Sequence, residues 1–105
     1  MFIGIDLGTS AVKMILVDYD QNILATSDSP VSVQNPKDGY SEQNPGEWIK
    51  ATLECLEDLK SKKPKEFKET IAIGISGQMH GATLIDSSGD VIRPCVLWND
   101  TRSHK

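Results

Sequence analysis

Two apolar runs open the chain, Phe2-Ile3-Gly4-Ile5 and Val12-Lys13-Met14-Ile15-Leu16-Val17, separated by Asp6-Leu7-Gly8-Thr9-Ser10. Both are rich in β-branched residues and read as strands joined by a tight turn. A third strand is expected over Asn22 to Ser27, after an Asp18–Asn22 turn, so that strands one to three form an antiparallel meander. Ser29 to Tyr40 carries Pro30, Asn35, Pro36, Asp38 and Gly39 and reads as an irregular loop. The next start signal is for a helix: Asn44 as N-cap, Pro45 at N1, and Glu47 three residues on to complete a capping box. Trp48, Thr52, Cys55, Leu56 and Leu59 recur at helical spacing, as the face that packs on the sheet or as a partner groove. Pro64 ends the helix, and the mixed charges from Lys60 to Glu69 read as a solvated connection. Ile71-Ala72-Ile73-Gly74-Ile75 is a continuous apolar run, expected as a strand buried on both faces and brought into the same sheet by the helical crossover. Ala82–Ile85 and Val91–Trp98 bracket Ser87-Ser88-Gly89-Asp90 as a second hairpin. The order is β-β-β-α-β plus a hairpin, an α/β mixed sheet.

Composition narrows the picture. With 105 residues, 38% of them hydrophobic and 25% charged, the chain suits one soluble globular domain with a single core. Its 15 acidic side chains outnumber 11 basic ones, which leaves no basic surplus for a nucleic-acid backbone. No apolar run approaches the roughly 20 residues that span a bilayer, and the first strand begins too early for a secretory leader. Cys55 and Cys95 lack C-x-x-C spacing, so two buried free thiols in a reducing cytoplasm are expected in preference to a disulfide. Trp98 to Lys105 reads as the opening of a further element, so the chain is expected to be a piece of a longer protein.

Two stretches carry candidate chemistry. The first turn offers the Asp6 carboxylate, the Thr9 and Ser10 hydroxyls, the backbone N–H groups around Gly8, and Lys13 just beyond. Successive N–H groups form anion nests, and an adjacent aspartate can hold a divalent cation or its water. Equally, Asp-x-Gly-Thr recurs in ordinary hairpins, where Asp caps the turn and Gly takes a positive φ. Neither G-x-x-x-x-G-K-[ST] nor G-x-G-x-x-G is present. The second stretch is Ser76-Gly77-Gln78-Met79-His80-Gly81, at the carboxyl end of a strand, where open α/β sheets bind ligands. Gln78 and His80 can donate or accept, and Met79 supplies an adaptable apolar contact. A lone His in a turn also serves purely structural ends. Neither His80 nor the isolated His104 has a partner at metal-ligand spacing, which argues against zinc.

Four segments together resemble a known family. Ile3 to Ser10, with Lys13, is similar to the first phosphate motif of the carbohydrate kinases that share the actin, hexokinase and heat-shock chaperone fold. Gly74-Ile75-Ser76-Gly77-Gln78-Met79-His80-Gly81-Ala82-Thr83 resembles the sugar-contacting segment of xylulokinases within the FGGY group. Tyr40 to Trp48 and Leu97 to Arg102 match in order and distance. The resemblance implies a ribonuclease H-like mixed sheet forming part of the N-terminal lobe of an actin-like ATPase fold. It implies transfer of the ATP γ-phosphoryl group to the terminal hydroxyl of D-xylulose, with ATP and Mg2+ as cofactors. Asp6 would lie beside the metal and the transferred group in a supporting catalytic role. Gly8, Thr9, Ser10 and Lys13 would line the phosphate end, and Gln78, Met79 and His80 would meet the sugar. Glycerol kinases carry an Arg-Glu pair in place of Met79 and His80, and gluconate kinases carry Met-His without the flanking Gln and Gly, so gluconate is the runner-up. The family's general base lies beyond Lys105, so residues 1–105 are expected to be an inactive N-terminal part of the sugar-binding domain. A small-molecule sugar and ATP are the expected partners, with no nucleic acid or membrane, and the whole protein is expected as a cytoplasmic homodimer. A non-catalytic regulator or a filament protein of the same fold is the alternative class.

Overall fold

The structure is a computed structural model and describes residues 1–103; His104 and Lys105 lie outside the described residues. A four-stranded sheet has the order β3-β2-β1-β5. It consists of β1 (Phe2–Leu7), β2 (Ala11–Val17), β3 (Ile23–Pro30) and β5 (Ala72–Gly77). The meander is antiparallel, and β5 joins β1 in parallel, as a helical crossover requires. Helix α1 (Pro45–Lys62) and the one-turn α2 (Pro64–Lys68) make that crossover. A two-stranded ribbon of β4 (Glu42–Gln43) and β6 (Cys95–Val96) stands beside the sheet.

Alternation along the strands decides which face is covered. Ile3, Ile5, Val12, Met14 and Leu16 point to one side and are buried with Val31, Ala51, Cys55 and Leu59. One apolar stripe of α1 therefore closes this face. The Cys55 thiol lies against the Val12 carbonyl at 3.7 Å, and its burial pushes the thiol pKa up. Both cysteines are free and buried, as the sequence suggested.

The sequence misjudges several boundaries, each for a physical reason. β3 runs on to Pro30 instead of ending at Ser27. Proline is tolerated at the end of an edge strand because no further neighbour needs its N–H. Asp6 lies in β1, paired with Lys13 across the hairpin, and the turn itself is Gly8 to Ser10. Gly8 is required by close approach and not by a positive φ: a Cβ there would lie 2.8 Å from the Ala11 carbonyl oxygen. Asn44 caps α1 by accepting from the Gly46 N–H, but no capping box forms, because the Glu47 carboxylate accepts instead from Ser32 Oγ at 2.9 Å. Within Lys60–Glu69, α2 docks Phe67 against the core. The second hairpin is reduced to the isolated bridges Ala82–Val96 and Ile85–Val91, since β6 pairs with the unforeseen β4.

β5 departs furthest from expectation. It is exposed along its whole length, with Ile73 at 54% and Ile75 at 69%. It is the sheet's edge, and α1 lies over the β2–β3 side. The apolar run is there, but the layers that would bury it are not among the described residues.

Candidate active site

The face of the sheet opposite α1 is bare. Cross-strand pairing lines up Asp28, Lys13, Asp6 and Ser76 in one row, and Ile15, Gly4 and Gly74 in the next. All of these but Asp28 line a trough of ≈ 490 Å³. The two paired glycines lower its floor to backbone, and a Cβ on Gly74 would meet nothing within 4 Å. Asp6 is exposed, and Ser76 Oγ donates to its Oδ1 at 3.3 Å. That single contact orients the carboxylate and leaves it acceptor capacity for a cation or its water. The N–H of Gly8 is committed to Ala11 O at 3.0 Å and so is not free for an anion.

The second predicted stretch emerges beside the first. Gln78 N–H donates to Leu7 O at 3.2 Å, and Thr9 Oγ1 lies 3.4 Å from Gln78 Oε1. Residues 69 positions apart thus place the two motifs side by side. Beyond Gln78 the chain turns through His80, held at φ 61°. A non-glycine residue in this region costs about 1 kcal/mol or more, and such strain gathers at ligand sites. Met79 and His80 are exposed and share a cleft of ≈ 300 Å³ with Gly77, Gln78 and Trp98. Trp98 adds an indole face, 58% exposed, to a wall that the motif alone had drawn without it.

Two polar networks fix these pieces. In one, the Gln43 amide joins Thr9, Trp48 and Gln78. In the other, Arg93 and Arg102 both pair with Glu42, Arg102 also pairs with Asp100, and Arg102 stacks 3.9 Å from the Tyr40 ring centroid. Hydrogen bonds from Arg102 foremost, then the N–H groups of Ser41 and Arg102, hold the Asp100 carboxyl well below the usual carboxylate range. Arg102, supported by Asp100 and then Glu42, is shifted upward. Together they pin the turn that carries Trp98 to β4. Sequence reasoning saw these residues only as matching segments, because their partners lie 51 to 60 positions away.

Among the described residues, no group of three or more His, Cys, Asp or Glu side chains could hold a metal ion. Mg2+ needs no such cage, since it commonly takes one or two carboxylates together with substrate phosphates and water. Asp6, held from one side only, fits that requirement.

Comparisons with known proteins agree with this arrangement. The pattern of the FGGY family of carbohydrate kinases, N-terminal domain, matches residues 1–105. The xylulose kinase of Bacillus subtilis (strain 168) is 46% identical over 101 residues, covering 96% of this chain and 20% of that protein. Among solved structures, the xyloylose (xylulose) kinase of Brucella ovis superposes with TM-score 0.94 at 51% identity, over 96% of this chain and 21% of its own. A gluconate kinase from Lactobacillus acidophilus superposes with TM-score 0.87 at 28% identity, over 95% of this chain and 20% of its own. The chain spans about a fifth of the length of the curated relatives it matches.

Proposed function

Since this chain belongs to the FGGY family of carbohydrate kinases, we propose that the protein of which it is part transfers the ATP γ-phosphoryl group to the terminal hydroxyl of D-xylulose. The observation that carries this reading is the meeting of the Asp6–Ser10 hairpin with the Gln78–His80 turn through Thr9 and Gln78. A phosphate-end element and a hydroxyl-recognising element within one hydrogen bond of each other are what phosphoryl transfer to a small polyol needs. Relatives named xylulose kinase at 46% and 43% identity support the choice of sugar.

The residues divide the work as follows. Asp6, steadied by Ser76, is the carboxylate beside the metal; Mg2+, when bound, neutralises charge on the transferred group. Lys13 and the Thr9 and Ser10 hydroxyls border the phosphate end, with the Gly8 turn holding the hairpin tight. His80 donates to or accepts from a sugar hydroxyl, and Met79 and Trp98 supply apolar contact. Gln78 presents the turn through its amide. The base that takes the hydroxyl proton is supplied from beyond residue 105. The two free, buried cysteines suit the reducing cytoplasm in which such an enzyme would work.

One observation favours a second sugar: the gluconate kinase shares this fold at TM-score 0.87, so backbone shape alone does not choose between them. Met79 and His80 are flanked here by Gln78 and Gly81, as the resemblance gives for xylulokinases and not for gluconate kinases, which favours the neutral ketose. The test is a substrate panel on the full-length protein, with D-xylulose, gluconate and glycerol as acceptors. D-xylulose is expected to give the highest kcat/KM, and His80→Ala to lower that value by roughly 5- to 150-fold, equivalent to about 1–3 kcal/mol, while leaving the KM for ATP nearly unchanged. Gluconate ranking first would overturn the sugar assignment, and absence of any sugar-dependent ATP consumption would overturn the kinase reading.

A further inference from the structure

Gln43 is 1% exposed and carries no expected role, yet both candidate motifs close on it. Its Nε2 donates to Thr9 O at 2.5 Å. Its Oε1 accepts from Trp48 Nε1 at 2.9 Å and from Gln78 Nε2 at 2.9 Å. Chemistry fixes the orientation of this amide, because an indole N–H only donates and a backbone carbonyl only accepts. With the Gln43 oxygen facing Trp48, the Gln78 amide must turn its nitrogen toward Gln43 and its oxygen toward Thr9 Oγ1. The result is a closed ring, from Thr9 O through Gln43 and Gln78 back to the Thr9 hydroxyl.

From this ring we infer that Gln43 is a positioning residue, setting the phosphate hairpin at a fixed distance from the sugar turn. The inference rests on the kinase reading for its catalytic consequence. β4 and β6 anchor the Gln43 backbone opposite Cys95, and the N-cap of α1 follows directly at Asn44, so Gln43 stands on a rigid support. The hairpin and the turn otherwise meet through the Leu7–Gln78 backbone bond and a 3.4 Å hydroxyl contact. A buried network in which each group has its partner admits one arrangement, and breaking it frees the parts to drift. Displacement of reacting groups by about 1 Å can cost 10²-fold in rate while each ligand still binds its own half-site.

The test uses the full-length protein with its best sugar acceptor. Gln43→Met keeps volume and removes all three bonds; Gln43→Glu keeps both acceptor bonds and opposes an oxygen to Thr9 O. In each, kcat is expected to fall at least tenfold while the KM values for sugar and ATP move less than threefold. Amide hydrogen exchange over residues 8–12 is expected to quicken at least fivefold, with Ala51 to Leu59 of α1 unchanged. A folded variant with kcat within twofold of wild type would overturn the inference. So would exchange accelerated equally in α1, or failure of both variants to fold, either of which would assign Gln43 to general stability. If the wild-type protein shows no sugar-dependent ATP consumption, the kinase reading falls, and the exchange measurement alone decides whether Gln43 ties hairpin to turn.

Discussion

Asp6 owes its position to strand alternation: two residues after Gly4 and opposite Lys13, it must face the bare side of the sheet. In the full-length protein, Asp6→Ala is expected to lower kcat at least about a hundredfold, comparable to losing one preorganised electrostatic contact. Steady-state kinetics at saturating sugar and ATP check this, and a kcat within threefold of wild type would leave Asp6 with a structural part in β1 alone. Asp100 yields a prediction on stability. Its carboxyl is depressed in the folded state by Arg102 and two backbone N–H groups, so the unfolded chain binds the proton more readily. The contribution is present above the unfolded pKa near 3.9 and is lost as pH falls through the folded value. Thermal unfolding temperature should fall steeply below about pH 4, and Asp100→Asn should flatten that fall; parallel curves would refute it. At this scale the sequence offers Asp6, Thr9 and His80 as candidates because short motifs concentrate polar groups there, and the structure sets Thr9 beside Gln78. The sequence is silent on Gln43 and Asp100, because burial among partners at residues 9, 41, 78 and 102 turns an ordinary polar residue into a constrained one.

Elements were legible in proportion to how local their causes are. The hairpin, the N-cap and the crossover follow from turn residues, Asn44 and apolar periodicity, and each forms. Asn44→Ala is expected to destabilise the fold by about 0.5–2 kcal/mol, read from denaturant midpoints, because the Gly46 N–H loses its acceptor. A shift below 0.2 kcal/mol would show that the cap is idle. The two-residue strands β4 and β6 escaped notice because Glu42–Gln43 and Cys95–Val96 are too short to show a period. β5 was recognised as a strand but misplaced as a buried one, since an apolar run records only that it is to be covered, not by what. As an edge exposing Ile73 and Ile75, it should make residues 1–105 self-associate when produced alone. Sedimentation of Ile73→Lys should show less association than wild type, and equal association would place the contact elsewhere.

For the molecule as a whole, extents of 51 × 28 × 19 Å describe an open body with one well-covered face. On the proposed reading the described residues present a wall of the site and not a closed cleft. Alone they are expected to give no sugar-dependent ATP turnover and to bind sugar with Kd weaker than about 1 mM, because a few hydrogen bonds on an open wall do not offset the cost of immobilising a hydrated ligand. Sugar phosphate above background from the purified 1–105 chain would refute this and the assignment of the base to later sequence. The parallel pairing of β1 with β5 also has a consequence in time. Asp6 and Ser76 are partners separated by 70 positions, whereas β1, β2 and β3 are neighbours along the chain. During synthesis the meander can close as soon as Pro30 is clear of the ribosome, and α1 can dock once Lys62 is clear. The trough acquires its second bank only after Gly77 has emerged, and closing so long a loop delays that step further. A nascent chain stalled before residue 72 would thus hold Asp6 on a folded hairpin with Lys13 on one side and no Ser76 on the other, one bank of the trough waiting for its second to be made.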